Sequence, residues 1–539
     1  MESKIINFED VQKKIIKGVS KAANAIERTL GPSGRCVAVV GNFGTDITRD
    51  GATVAKSIIL KDKEENIGAE LVKKAAEQTE SLAGDGTSTC SILTRDLCIK
   101  GQKAISFGAN VNEIKTGLTK AGEWVKTYIK NHSTPIDGDL EKIQKVATIS
   151  ANNDPEVGNL VVKGLQAVGL NGLVTADMAS GLETIIDITQ GMKLDRGWSS
   201  PQYVTSPEDG KCVLDNPLIL VVGERISSIP QIYTFLEDYQ QNGGGQPLLL
   251  VCDDIDDNVN GMFVINTLRG ALRCCVVKGI DFGDSRKNIM ADLAVSVGAK
   301  YISPDTGEDI TKATVKDCGR ADKVVISRDS TIIYQGYGDP NVINDRARVI
   351  KARLEDPTCS DYDKTKFEKR LANLTGGIAV IKAGGASEIE KQNRKATIED
   401  SVLAAKSAID EGCCPGGGYI FFHASKEIMK DDKFWKNLTE DEKEGATILV
   451  KSLPIILRTI AYNAGASVDV VEKTIEKSKK ENYGFNAKTK KYEDLVEAGI
   501  LDSAKVLRVS LENAISAASM ILLIDCTVVE EGEKTCDCH

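Results

Sequence analysis

Gly84-Asp85-Gly86-Thr87-Ser88-Thr89 sets an acid between two glycines and follows it with three hydroxyls, at the point where one helical pattern ends and another begins. Glycines let the backbone approach a ligand closely, and a carboxylate suits Mg²⁺. The amides opening a helix from Thr87 face an anion with the positive end of the helix dipole. The stretch reads as a cradle for phosphate and metal, and the chain as a user of nucleotide. No Gly-x-x-x-x-Gly-Lys-Ser/Thr element occurs, so the nucleotide site belongs to a class other than the P-loop.

Outward from the cradle, the first quarter is mainly helical. Ile15, Val19, Ala22, Ile26 and Leu30 recur at helical spacing and stop at Gly31-Pro32. A second stripe, Ile67, Leu71, Ala75 and Leu82, runs into Gly84, and a third begins near Thr89 with Leu93 and Leu97. The middle alternates short apolar runs, at 218–222, 247–252, 274–277 and 301–302, with helix-length amphipathic segments, which predicts an α/β layer. Helical spacing returns at Ile398, Val402, Ala405 and Ile409, then across 446–464, and finally at Leu507, Leu511 and Ile515. The ends resemble each other more than the middle, as when an α/β unit is inserted between helical halves. Gly191 and Gly376-Gly377, the latter before a strand run at 378–381, bracket the insert and suit its exits.

At 539 residues the chain exceeds one core, and ~100 to 200 residues per domain predicts three or so units. Apolar residues at 41% and charged residues at 27% describe a globular chain, and with aromatics at only 5% its stability rests on aliphatic packing. A formal net charge of −10 lacks the basic footprint of nucleic-acid binding. Fourteen cysteines, including the adjacent pairs Cys274-Cys275 and Cys413-Cys414, form no spaced framework of bridges, so a reducing compartment is expected. Cys536-Asp537-Cys538-His539 reads as a solvated tail. No apolar run approaches the ~20 residues that span a bilayer, and Glu2, Glu9 and Asp10 do not fit a signal or transit segment. No membrane partner is expected.

Four acids stand out. Asp85 has the strongest context. Asp50, in Thr48-Arg49-Asp50-Gly51, reads by default as the first half of a hairpin turn. Asp400 follows Ile398 by two residues, ~200° around the helix from the apolar stripe, ordinarily a solvated face. Asp502 opens a helix, and its simplest role is N-cap. Gly416-Gly417-Gly418 is either a loop or a close approach to a ligand.

Together, Thr29-Leu30-Gly31-Pro32, Gly84 to Thr89, Thr148-Ile149-Ser150-Ala151-Asn152, Lys278 to Gly283 with Asp284, Gly416 to Gly418 and Gly499-Ile500-Leu501-Asp502 resemble the group I chaperonins nearly end to end. The resemblance implies a multidomain α + α/β protein. It has a mainly helical equatorial domain (1–134 and 412–525), a small intermediate hinge domain (135–190 and 378–411) and an inserted α/β apical domain (191–377), with a flexible tail at 526–539. It implies seven-membered rings, single or stacked in pairs, closed by a 10-kDa-type co-chaperonin. The setting is a bacterial cytoplasm or the matrix of a mitochondrion-type organelle. ATP, Mg²⁺ and K⁺ are the implied cofactors. Position by position, Thr29, Leu30, Gly31, Pro32, Arg49, Asp85, Gly86, Thr87, Ser88, Thr89, Gly417, Asn486, Ala487, Lys488 and Asp502 would line the nucleotide pocket, Asp85 holding Mg²⁺. Asp50 would lie beside the γ-phosphate and Asp400 would orient or activate water. K⁺ would sit on carbonyls freed at the helix end near Thr29, and Arg49 stands where the family usually has lysine.

Unfolded client proteins, by the same resemblance, bind an apolar apical groove matching Trp198, Tyr203, Tyr233, Leu236, Val264 and Ile265. Gln202 stands where the family has an aromatic and Asn260 where it has leucine, and the tail lacks the family's glycine and methionine repeats. These departures leave two activities open: an ATP-dependent folding chaperonin, or a divergent ring that holds or scaffolds few clients.

Overall fold

The computed structural model describes residues 3–6, 8–41, 44–151, 153–170, 172–206, 210–354, 361–478 and 480–530. Asn152 and Cys536-Asp537-Cys538-His539 lie outside the described residues. The chain divides into two compact units, one holding Met1–Lys163, Ala176–Ile185 and Ile381–His539, the other Gly164–Thr175 and Ile186–Val380. An insertion within helical halves was the sequence expectation, and the multidomain α + α/β class is the one observed.

In the first unit six helices open the chain: α1 (Phe8–Ile26), α2 (Gly51–Ser57), α3 (Lys63–Ala83), α4 (Thr87–Ser106), α5 (Val111–Asn131) and α6 (Leu140–Ser150). The α1 stripe of Ile15, Val19, Ala22 and Ile26 is buried as its spacing requires, and a 3-10 turn, Glu27–Thr29, carries the chain to Gly31. On α3 the buried face is instead Ala69, Val72, Ala75, Ala76 and Ala83, and Leu82 is exposed. Small residues win because α1 and α3 cross at contact distance: a Cβ at Gly18 would lie 1.8 Å from the Glu65 carbonyl oxygen, and one at Gly68 would lie 2.0 Å from that of Ile15. Leu93 and Leu97 on α4 are fully buried.

The chain's later third completes this unit. The Ala504–Leu522 helix buries Leu507 and Leu511 against the same core, and Gln12 Nε2 of α1 donates to the Ile521 carbonyl at 3.1 Å. Pro454 separates helices Glu440–Ser452 and Ile455–Asn463 within the expected 446–464 pattern. By composition this stretch, Glu440–Asn463, is long and apolar enough to cross a membrane, and it is mostly buried within the fold, as befits core helices.

In the second unit all four expected buried runs are strands. Leu218–Ile226 pairs in parallel with Leu248–Ile255, which pairs in parallel with Cys274–Lys278, and Tyr301–Ile302 also runs parallel to Leu218–Ile226. Leu218, Leu248 and Cys274 stand in register. The helices Ile229–Asn242, Asp257–Leu268 and Gly283–Val297 connect these strands, the short-crossover pattern of an α/β layer. Gly319–Ile326 and Thr331–Gly336 extend the sheet antiparallel. The described cysteines are free thiols, most of them buried in these two cores.

Candidate functional site

A cavity of about 220 Å³ opens in the first unit, and every residue assigned to nucleotide binding or catalysis lines it: Thr29 to Pro32, Arg49, Asp50, Asp85 to Thr89, Asp400, Gly417, Asn486 to Lys488 and Asp502. The cradle forms its floor. Gly84 closes α3 with φ +76°, and a Cβ there would lie 1.9 Å from Cβ of Leu403. Gly86 opens α4 with φ +88°, and a Cβ there would meet Ser510 Oγ at 2.2 Å. Only glycine satisfies both the left-handed backbone and the crowding. The free amides of the first α4 turn consequently face the cavity side where Thr87, Ser88 and Thr89 stand.

Asp85 is held from both sides: the Gly86 N–H donates to Oδ1 and Ser150 Oγ donates to Oδ2 at 2.9 Å. Burial raises its pKa above the ordinary carboxylate value, the two donors oppose that rise, and the Asp50 charge adds to it.

Asp50 is the N-cap of α2 and not half of a hairpin turn. Its carboxylate accepts from the amides of Ala52 at 3.0 Å and Thr53 at 2.7 Å and from Thr53 Oγ1 at 2.6 Å. The hairpin lies just before it, Val37–Gly41 against Gly44–Thr48. Gly51 lets this cap press onto α4, since a Cβ there would lie 2.3 Å from Ser88 Oγ.

Asp400 rides on the Glu388–Glu411 helix, whose Ile398, Val402 and Ala405 are buried. Its face is not bulk solvent but the cavity wall, where it is half-buried. Burial first, then the charges of Asp50, Asp85, Glu80 and Glu399, push its pKa well above the ordinary value. Ser401 Oγ donates to the Ala147 carbonyl of α6 at 2.7 Å and Ser407 Oγ to the Ala83 carbonyl of α3 at 2.9 Å, which fixes the helix along the cavity.

Asp502 belongs to a short strand, Leu501–Ser503, paired antiparallel with Cys413–Pro415; Ser503, not Asp502, is the N-cap of the following helix. The pairing brings the triglycine to the acid: a Cβ at Gly416 would lie 2.8 Å from Asp502 Oδ1. Burial, with Asp85 adding, pushes the Asp502 pKa up to about 7, against a hydrogen bond from the Gly417 amide. Asn486 ends one strand of the Tyr483–Asn486 and Lys491–Asp494 hairpin, and its Oδ1 accepts from the Lys488 amide at 3.0 Å.

Sequence reasoning assigned no role to Ser150, Asn153 and Ser503, which also line the cavity; the quoted block from Thr148 onward was the available signal for Ser150. Around Thr29, the carbonyls of Ile26, Glu27, Arg28, Leu30 and Gly31 already accept hydrogen bonds, two of them from Asn463 Nδ2, so a K⁺ seat would rest on the Thr29 carbonyl and on second lone pairs.

Asp50 and Asp85 bring hard carboxylate oxygens to the cavity, and burial with the Asp50 charge makes Asp85 harder to ionise, so the site fits Mg²⁺. Arg49 Nε is buried without a partner, while its guanidinium donates to the Pro32 carbonyl at 3.3 Å, which leaves donor capacity for a phosphate.

The sequence profile of the TCP-1/cpn60 chaperonin family matches residues 22–233 and 240–532. The chain belongs to that family. A chaperone role follows from membership. The chaperonin fold extends to gp146 of bacteriophage EL 2 (Pseudomonas aeruginosa), crystallised in the presence of ATP-BeFx. The TM-score is 0.72 and the identity 20%, over 98% of this chain and 99% of that one.

In this chaperonin the side chains assigned to clients lie in the second unit, and they do not form one surface. Tyr233 and Ile265 are exposed, at 53% and 49%, on the Ile229–Asn242 and Asp257–Leu268 helices. Leu236 and Val264 are half-buried against the core beneath, as is Trp198, whose backbone bridges to Val277. Tyr203 is 1% exposed and is a core residue: its hydroxyl donates to Asn260 Oδ1 at 2.9 Å, and burial holds the phenol far above its usual pKa. Asn260, half-buried, also accepts from Ser199 Oγ at 2.9 Å, so it braces the turn holding Tyr203. Gln202 is exposed beside it.

Proposed function

We propose that this chaperonin is an ATPase that captures non-native proteins and folds them in a ring, with hydrolysis as the timer. The observation carrying the proposal is the convergence of Asp50, Asp85 and Asp400 with the opening turn of α4 on one cavity. The ATP-BeFx in the related phage crystal supports the same choice of ligand.

Bound Mg²⁺ would neutralise charge on the phosphate oxygens, held there by Asp85. The α4 amides and Arg49 bind and orient the phosphates, and the glycines at 416–418 admit the nucleotide beside Asp502. Asp50, tied down by three donors, shapes the end of the cavity where the terminal phosphate would lie. Asp400, with its raised pKa, accepts a proton from the attacking water more readily than an ordinary aspartate and aligns that water.

Tyr233 and Ile265, with Ile229 and Leu268 also exposed on the same two helices, support apolar capture of clients. The finer proposals are a seven-membered ring, single or double, a 10-kDa-type co-chaperonin that displaces clients from this face, and three domains with the boundaries given above. A reducing compartment, a bacterial cytoplasm or the matrix of a mitochondrion-type organelle, belongs to the same proposal. The test is purified chain with Mg²⁺, K⁺ and ATP, followed by phosphate release, electron micrographs of end views, and refolding of a denatured enzyme with and without co-chaperonin. Hydrolysis, sevenfold end views and co-chaperonin-dependent recovery are expected. Capture without release would make the protein a holder of few clients, and neither hydrolysis nor rings would overturn the proposal.

A further inference from the structure

Ser150 is the last residue of α6, and its hydroxyl donates to Asp85 Oδ2 at 2.9 Å while the Gly86 amide takes Oδ1. Each carboxylate oxygen thus has one protein donor, and a carboxylate oxygen has a second lone pair to offer. With both oxygens tethered, the plane of the carboxylate is fixed and the remaining lone pairs have set directions into the cavity. The two tethers differ in kind. Gly86 is Asp85's own neighbour and moves with it, whereas Ser150 comes from 65 residues away. Its own position is secured because α6 is bonded through the Ala147 carbonyl to Ser401, one residue past Asp400.

We infer that Ser150 is a positioning residue that aims Asp85 at the divalent cation and so sets how tightly the chain holds that metal with its nucleotide. The inference rests on reading the cavity as a metal-nucleotide site. Without the hydroxyl, Asp85 keeps only the tether that travels with it, and its free lone pairs lose their fixed direction. Replacing Ser150 should therefore weaken metal binding and leave nucleotide binding without metal untouched, because Ser150's bond goes to the carboxylate.

The test uses full-length chain saturated with a non-hydrolysable ATP analogue and titrated with Mn²⁺, read from the loss of the free-Mn²⁺ electron paramagnetic resonance signal. Ser150→Ala is expected to weaken Mn²⁺ roughly tenfold, in line with one hydrogen bond to a charged group. Metal-free analogue affinity, by calorimetry, should stay at the wild-type value, and the melting temperature should fall by no more than the loss of one hydrogen bond accounts for. Ser150→Thr, which keeps the hydroxyl, should restore Mn²⁺ affinity to within about threefold, so general damage at the site is told apart from loss of the bond. Wild-type Mn²⁺ affinity in Ser150→Ala while Asp85→Asn loses the metal would overturn the inference alone, as would a Thr variant as weak as Ala. If Asp85→Asn also binds Mn²⁺ normally, the metal-site reading falls and takes the inference with it.

Discussion

The cavity of the first unit and the exposed apolar side chains of the second would bind by opposite means. The cavity draws on well-separated stretches between Thr29 and Asp502, and Asp502, Asp50 and the α4 start are placed in it by a strand pair, a cap and a left-handed glycine. The face needs only two successive helices that leave Tyr233 and Ile265 uncovered. Hydrogen bonds weaken steeply when misaligned, whereas apolar burial has no preferred direction. On the proposed function, chemistry would tolerate few changes in the cavity, while an apolar client surface would tolerate Gln202 and an inward-bonded Asn260.

The sharpest way to break this contrast is Asp400→Ala. Loss of a general base should lower turnover by roughly 10² to 10⁴-fold, with nucleotide affinity by calorimetry and client capture unchanged; near-normal phosphate release would remove Asp400 from its role. Next in size is the pH response of the unliganded chain. The folded Asp502 titrates at about 7 against an ordinary 3.8, so between those values the folded state keeps a proton that the unfolded state has released. Stability must fall as pH rises through that window, by at most roughly 4 kcal/mol. Calorimetric melting at pH 5 and pH 8 should show the drop, and Asp502→Asn should remove its share.

On the other side of the contrast, Tyr233→Ser with Ile265→Ser should weaken capture of an unfolded protein by about tenfold or more, since each buried side chain is worth ~1.5–3 kcal/mol. ATP turnover should hold. If capture survives, the face is elsewhere. The smallest effect is expected from Tyr203→Phe, which removes the bond to Asn260: about 1 kcal/mol of stability by denaturant titration, and no change in capture. A large loss of capture would return Tyr203 to the client surface.

Elements with unbroken periodicity were readable in the sequence: the four buried strands of the second unit and the Ala504–Leu522 helix lie where their spacing puts them, and α1 does so as far as Ile26, where a 3-10 turn replaces the expected run to Leu30. Tertiary contact decided the rest. Leu82 is exposed at the far end of α3 while Ala76 and Ala83 take the core, and no periodicity rule sees which partner each turn of a helix meets. Neither Asp50 nor Asp502 keeps its expected local role: Asp50 caps a helix instead of opening a hairpin turn, and Asp502, expected as an N-cap, sits in a strand whose partner lies nearly ninety residues earlier in the chain. Asp85 was legible because its helix start, glycines and hydroxyls are contiguous, whereas Ser150 reaches it from another helix. Tyr203 was assigned outward by family likeness, and the polar Asn260 beneath it gave its hydroxyl a reason to point in.

The hydrogen bond from Gln12 to Ile521 joins residues 509 positions apart and ties the opening helix to the last long one. During synthesis the middle segment, most of which forms a compact unit of its own, has emerged in full while the first helices still lack their packing partners. The earliest-made residues are then the last to settle, with apolar faces such as Ile15 and Val19 waiting uncovered on the ribosome. A protein whose family shelters others in that condition passes through it on the way to its own native state.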